Sequence, residues 1–190
     1  MASSIPSTVS AISEKFKVLK KTEFRDETTL YVERTAIKEL ARFCKEELGF
    51  NYLIDLSGVD HFGEDPRFEV VYELYHFADG LHLRLKLSVS EDELEVPTVS
   101  DVWATAEWHE REAFDMFGIK FTGHPDLTRI LMWEGYPFHP LRKDFPLAGR
   151  PSEMPDVAFT KAAPLAGGPF VTVPSTATTK DREPRSREIP

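Results

Sequence analysis

The stretch RFEVVYELYHFADGLHLRLKLSV, from Arg67 to Val89, decides the fold. Its first half sets Phe68, Val70, Tyr72 and Leu74 at every second position. Its second half alternates without a break, with Leu81, Leu83, Leu85, Leu87 and Val89 against His82, Arg84, Lys86 and Ser88. A period of two puts successive side chains on opposite faces, so each half is a strand with one buried and one wet face. Asp79-Gly80 lies between them, where a tight antiparallel turn needs positive φ. The pattern predicts a hairpin in an antiparallel sheet covered by helices on one side.

Working outward, TTLYVE (Thr28 to Glu33) has strand character. A helix is expected from Ala36 to Leu48, capped by Thr35 and stopped by Gly49, with Ile37, Leu40, Ala41, Cys44 and Leu48 on one face. YLIDLSGVD after it reads as a short buried strand ending in a turn at Gly58. A second helix is expected from a cap at Ser100 to Phe117, with Gly118 as its stop. EDELE (Glu91 to Glu95) reads as a solvated loop. Residues 1–14 are small and polar and are expected to form a flexible arm. Eight of the 14 prolines fall in 146–190, and the apolar periodicity fades there. The expected architecture is therefore a two-layer α+β domain over 15–145, with a largely antiparallel sheet and helices on one face. An extended, partly disordered, proline-rich tail over 146–190 comes after it.

Composition narrows the function. A net charge of −9 argues against nucleic acid, whose phosphates reward clustered Lys and Arg. Cys44 is the only cysteine, which excludes an intrachain disulfide and a thiolate set for an iron–sulfur cluster. Neither GxGxxG nor GxxxxGK[ST] occurs, so dinucleotides and triphosphates lack their usual glycine cradle. No run approaches the roughly 20 apolar residues of a membrane helix, so no direct span is expected. The start of the chain lacks the pattern of a secretory signal, so the cytosol or its face of a membrane is the expected compartment.

The densest chemistry lies in EWHEREAFDMFGIKFTGHPDL, from Glu107. At about 100° per residue from Val102, an apolar arc holds Ala113, Ala106, Phe117, Trp103, Phe114 and Met116. Glu110 and His109 fall inside that arc, and Arg111, Asp115 and Glu112 outside it. Arg111 is then expected to pair with Asp115 or Glu107 on the surface. Glu110, on the apolar side, must find donors or keep a proton, and Arg129, Arg142 and Lys143 are the candidates. Such a pair would pin the segment after the helix onto the domain. That segment repeats a His-Pro theme, GHPDLTRIL from Gly123 and FHPLRKDF from Phe138, with proline holding His124 and His139 extended at turns. Between them Leu131, Met132, Trp133 and Tyr136 offer apolar surface of the kind enriched at interfaces. Two catalytic readings stand beside the docking one. His109, Glu112, Asp115 and His124, with His139, are candidate ligands of a metal-dependent hydrolase. Glu110 with Glu112 or Asp115 is a candidate acid–base pair.

The run EREAFDMFGIKFTGHPDLTRIL, then HPLRKDFPLAG, resembles the signature of the hydrophilic C subunit of respiratory complex I, the thirty-kilodalton family. LIDLSGVD and RFEVVYELYHF resemble the same family, so the likeness covers roughly residues 30–150. The family's Glu-Arg-Glu triplet is matched by Glu110, Arg111 and Glu112, its next acid by Asp115 and the apolar pair by Met116 and Phe117. The Gly-His-Pro turn is matched at Gly123 to Pro125, and the later His-Pro element at His139 to Pro146. Thr128 departs from the pattern, where a basic residue commonly precedes the arginine kept here as Arg129.

The resemblance implies a non-catalytic peripheral-arm subunit of proton-translocating NADH:quinone oxidoreductase that binds no cofactor itself. NADH, FMN, iron–sulfur clusters and quinone would belong to the parent complex. The implied partners are the quinone-site subunit and the terminal-cluster subunit, and the implied place is the cytoplasmic face of the inner membrane. Glu110, Arg111, Glu112, Asp115, Phe117, His124, Arg129, His139, Arg142, Lys143 and Asp144 would then serve interfaces and structure. An equivalent subunit of a ferredoxin-dependent or membrane-bound hydrogenase complex remains the alternative.

Overall fold

The computed structural model describes residues 4–146. Apart from Pro146, the expected tail lies outside the described residues. The sheet forms as the alternation requires. β4 (Phe68–His76) and β5 (Leu81–Val89) pair antiparallel from Phe68 opposite Val89 to His76 opposite Leu81. β3 (Tyr52–Asp60) pairs antiparallel with β4 at one edge. β2 (Glu27–Val32) joins the far side of β5 in parallel, and β1 (Val18–Phe24) closes that edge as an antiparallel hairpin. The order β1-β2-β5-β4-β3 is thus antiparallel in every pair but one. The turn between β4 and β5 takes four residues rather than two, because His76 stays paired to Leu81 and accepts the Gly80 N–H at 2.9 Å.

One face of this sheet makes the core. Phe68, Val70, Tyr72, Leu74, Leu83, Leu85 and Leu87 are all within 1% of complete burial. α1 (Ile5–Lys15) and α2 (Ile37–Glu46) cover that face with Ile12, Ile37, Leu40 and Cys44. Burial pushes the Cys44 thiol up to about 12, so the cysteine behaves as a small core hydrophobe. The opposite face carries ion pairs across strands, Lys86 to Glu69, and Arg84 to both Glu73 and Glu27.

Four local expectations are corrected. The expected flexible arm is helix α1 from Ile5, because Ser4 caps it through a reciprocal bond with Ser7, Pro6 opens the first turn, and Ile12 reaches the core. Thr35 does not cap α2 and lies within a short 3-10 turn, Arg34–Ala36, that leads into the helix. Gly58 is not a turn: β3 runs through it, and the Phe117 ring sits where its side chain would be, 2.7 Å from the position of a Cβ. The last helix, α3, spans Ala106–Phe117 with Thr105 at its N-cap, so it starts five residues later than a cap at Ser100 would place it. Ser100 does not cap it because Thr98 Oγ1 takes the Ser100 N–H and hydroxyl, and the chain then turns through Val99 and Trp103. Beside α3 lie β6 (Glu95–Pro97) and β7 (Lys120–Thr122), a two-stranded parallel pair.

Candidate functional site

α3 crosses the sheet at β3 and ends at Gly118, whose φ of +81° is the left-handed conformation that terminates helices. A helix leaves its last four carbonyls without partners in its own ladder. Here all four find one. The Phe114 carbonyl accepts the Gly118 N–H, and the Met116 carbonyl accepts the Leu141 N–H at 3.1 Å. The Asp115 carbonyl accepts His139 Nδ1–H at 3.0 Å and Arg129 Nη1 at 3.2 Å, and Phe117 accepts Arg142 Nε at 2.7 Å. Two guanidiniums therefore sit at the negative end of the helix dipole. The approach is close enough that a Cβ on Gly118 would lie 2.7 Å from His139 Nε2 and 2.8 Å from Arg142 Nη2. Burial, with Arg142 and Arg129 nearby, holds the His139 pKa below its usual value, while the bond to the Asp115 carbonyl opposes the shift.

The segment that supplies this cap, residues 123–145, has almost no regular structure and is held by two carboxylates. Asp115 is fully buried and takes Arg129 Nη1 at 2.6 Å. Its other oxygen accepts three successive backbone N–H groups, those of Ile130, Leu131 and Met132, at 3.1, 2.7 and 2.8 Å. Placing Asp115 outside the buried arc was therefore wrong, as was its expected pairing with Arg111. The arc weighed only the apolar residues of the helix itself, whereas the folded-back strap buries the adjoining side as well. Met132 and Tyr136, read as interface surface, are 8% and 2% exposed and belong to the core of the chain. Trp133, Tyr136, Phe138 and Phe145 form a run of tilted and edge-on ring contacts along the strap.

The second carboxylate is Asp60, at the end of β3. Arg67 grips it with two bonds of 2.9 Å, and the Lys143 N–H donates to it at 2.7 Å. The same guanidinium reaches Asp144 at 2.6 Å and Glu91 at 2.9 Å. Arg67 and Lys143 hold the Asp60 carboxyl below its usual range, against its burial. Lys143 contributes its backbone here rather than its ammonium. Asp60 and Arg67 were not among the expected site residues. They flank a single loop in sequence, but Asp144 lies 77 residues from Arg67, and no periodicity connects them.

Glu110 is fully buried, as the apolar arc implies, but its partners are not Arg129, Arg142 or Lys143. Its carboxylate accepts the Thr98 hydroxyl and the Val99 N–H at 2.8 Å, on the upstream side of the helix. His124 Nε2 stands 3.9 Å away and donates instead to the Glu107 carbonyl at 3.0 Å, while its Nδ1 accepts the Asp126 N–H. Burial, only partly opposed by the bonds from Thr98 and Val99, lifts the Glu110 pKa to about 7. Tyr72, whose hydroxyl is buried without a hydrogen-bond partner, is raised well above its usual value by burial and by Glu110. Asp115 thus takes the job expected of Glu110, tying down the chain after the helix, and Glu110 ties down the chain before it.

Arg111 turns to Thr128, donating to its carbonyl at 3.1 Å and its hydroxyl at 2.8 Å, and stacks on Trp108. Thr128, the position that departs from the family pattern, is therefore the partner of the triplet's arginine. Glu112 is exposed. The candidate metal ligands are dispersed: His109 pairs with Asp55 at 3.2 Å, Asp115 is saturated by the strap, and His124 is held by backbone groups. Among the described residues no group of three or more His, Cys, Asp or Glu is arranged to hold a metal ion. Glu110 and Asp115 face different segments, so they do not form the expected acid–base pair.

A family model described as the respiratory-chain NADH dehydrogenase 30 Kd subunit matches residues 30–151. The C subunit of the NADH-quinone oxidoreductase of Geotalea uraniireducens (strain Rf4) is 49% identical over 140 residues, 73% of this chain and 85% of that one. The C 2 subunit of the Rhizobium etli (strain CIAT 652) oxidoreductase is 56% identical over 115 residues, 60% of this chain and 61% of that one. Among solved structures, the trypsin-resistant fragment (1-134) of Nqo5 aligns with a TM-score of 0.56 at 32% identity, covering 64% of this chain and 97% of the fragment. A chain of the membrane-bound sulfane sulfur reductase, an archaeal respiratory membrane complex, aligns with a TM-score of 0.65 at 27% identity, covering 75% and 85%.

Proposed function

Because the chain belongs to the 30-kDa subunit family of respiratory-chain NADH dehydrogenases, we propose that it is a non-catalytic peripheral-arm subunit of proton-translocating NADH:quinone oxidoreductase. It braces the subunits that form the quinone site and carry the terminal cluster. It holds no cofactor, and NADH, FMN, iron–sulfur clusters and quinone are bound by other subunits. Its place is the cytoplasmic face of the inner membrane, reached through its partners; among the described residues no helix is long and apolar enough to cross a membrane.

One observation carries the bracing role. Each buried carboxylate that holds the strap is spent on donors of its own chain, Asp115 on Arg129 and three amides and Asp60 on Arg67 and Lys143. Carboxylates engaged in this way fix a backbone in place. They fix a strap of otherwise irregular chain, presented as a shaped surface. The likeness to a chain of the membrane-bound sulfane sulfur reductase favours a second reading, in which the same bracing serves a respiratory membrane complex other than the NADH-linked one. An equivalent subunit of a ferredoxin-dependent or hydrogenase complex is that alternative.

An affinity pull-down of the tagged chain from solubilised native membranes, with mass spectrometry and an NADH:quinone reductase assay, tests both. Co-purification with flavin, cluster-bearing and membrane subunits, together with NADH activity, is the expected result. The same assembly without NADH activity moves the chain to the second reading. Recovery of the chain alone refutes both.

A further inference from the structure

α3 presents one face that the fold leaves uncovered. Trp108 is 61% exposed, and the Arg111 guanidinium lies 5.0 Å over its ring; Leu131, in the strap that Asp115 holds, is 56% exposed. Arg111 is not free to swing, because Thr128 fixes it with two bonds. A large aromatic immobilised by a clamped arginine loses little side-chain entropy on contact, and tryptophan and arginine dominate the energetics of interface centres. Acids outnumber cations along this stretch of chain. Glu112 lies one turn from Trp108 on the same side of the helix, and Glu107 adjoins it. Asp126 is two residues beyond His124, whose ring bonds the Glu107 carbonyl. Among the described residues none of these three carboxylates forms an ion pair; Arg129 is neutralised by Asp115, while Arg111, bonded to the neutral Thr128, keeps its charge, so three acids stand against one cation.

We propose that this face docks a basic surface of one partner subunit, with Trp108 entering an apolar slot and Lys or Arg of the partner meeting Glu107, Glu112 and Asp126. The proposal rests on the chain being a subunit of the larger assembly, and it assigns that assembly's contact to a particular face and charge. A second copy of the chain is disfavoured as the occupant, since an isologous contact would oppose these acids to themselves.

The test places the photo-crosslinker p-benzoylphenylalanine at Trp108 of the full-length tagged chain, expressed in cells lacking their own copy. Membranes are irradiated, the complex is purified and the linked peptide is sequenced. The expected result is a single partner subunit, linked within a segment carrying an excess of Lys and Arg. In parallel, Glu112→Lys lowers co-purification of the partner by about tenfold or more while the isolated chain unfolds at the wild-type urea concentration, and Glu112→Gln falls between. An assembled complex with no crosslink overturns the proposal. So does a crosslink to a second copy, to the chain's own residues or to an acidic segment, and so does normal assembly of Glu112→Lys. A wild-type chain that recovers no other subunit brings down the membership reading first, which separates the two failures.

Discussion

Replacing Asp115 by alanine removes an acceptor that four donors share. The carboxylate is fully buried, and Arg129 beside it is 15% exposed. Breaking a buried ion pair from one side costs roughly 3–5 kcal/mol, because the remaining charge stays desolvated. The N–H groups of Ile130, Leu131 and Met132 lose their acceptor as well, but Leu131 is exposed enough for water to replace it. A net loss of about 4 kcal/mol is expected, a large share of the ~5–15 kcal/mol that holds a domain together. Asp115→Asn keeps one oxygen for the amides and loses the charge, so about 2 kcal/mol is expected. Urea unfolding read by tryptophan fluorescence gives the global value, and hydrogen exchange at Leu131, Met132 and Leu141 reads the strap alone. If the strap detaches before the domain unfolds, the global loss is capped at its detachment energy and the exchange protection falls first. Asp115→Ala within about 1 kcal/mol of wild type, with unchanged protection at those amides, would refute the anchor.

Glu110→Gln should flatten the pH profile. The folded pKa of about 7 lies above the ordinary 4.5, so the folded chain binds more protons between those values and stability falls as pH rises through that window. The penalty is complete above pH 7, where the glutamine variant should be more stable by at most about 3 kcal/mol; equal urea midpoints at pH 5 and pH 8 in the wild type would contradict it. Asp60 shifts the other way: its depressed pKa makes its contribution full above the ordinary value of 3.8 and lost as pH falls through the folded value. Asp60→Asn should therefore lie below wild type at neutral pH, with the gap closing as the pH is taken below the ordinary carboxylate value and through the folded one. Gly118→Ala places a Cβ against His139 and Arg142 at a positive φ, and a loss of about 2–3 kcal/mol is expected in thermal unfolding. Gly58→Ala should displace the Phe117 ring and cost about 1–3 kcal/mol, visible as a lower urea midpoint.

The sheet was legible because its signal is local. Leu81 to Val89 carry their own period, and from Leu83 onward burial tracks it residue by residue. α2 was equally plain from its apolar face. The start of α3 was not, since Ser100 is a good cap by type and only the bond to Thr98 diverts it. Glu110 announced its burial by lying among apolar neighbours, but its partners lay upstream and were of a kind that charge matching does not search for, a hydroxyl and an amide. Asp115 gave no such sign. Its burial comes from chain that folds back 15–17 residues later, and that chain is irregular. Arg67 and Asp144 meet for the same reason, through a contact with no period behind it.

The cap on α3 also has a consequence in time. A ribosome finishes the helix at Phe117, yet the partner of that residue's carbonyl, Arg142, is made 25 residues later. Gly118 satisfies Phe114 at once, but the carbonyls of Asp115, Met116 and Phe117 wait in water for Arg129, His139, Leu141 and Arg142, so the nascent chain carries a helix whose end closes in steps. Completion of the strap, rather than of the helix, is the moment at which this half of the domain closes. A chain released before Arg142 would contain every residue of α3 and still lack the means to finish it.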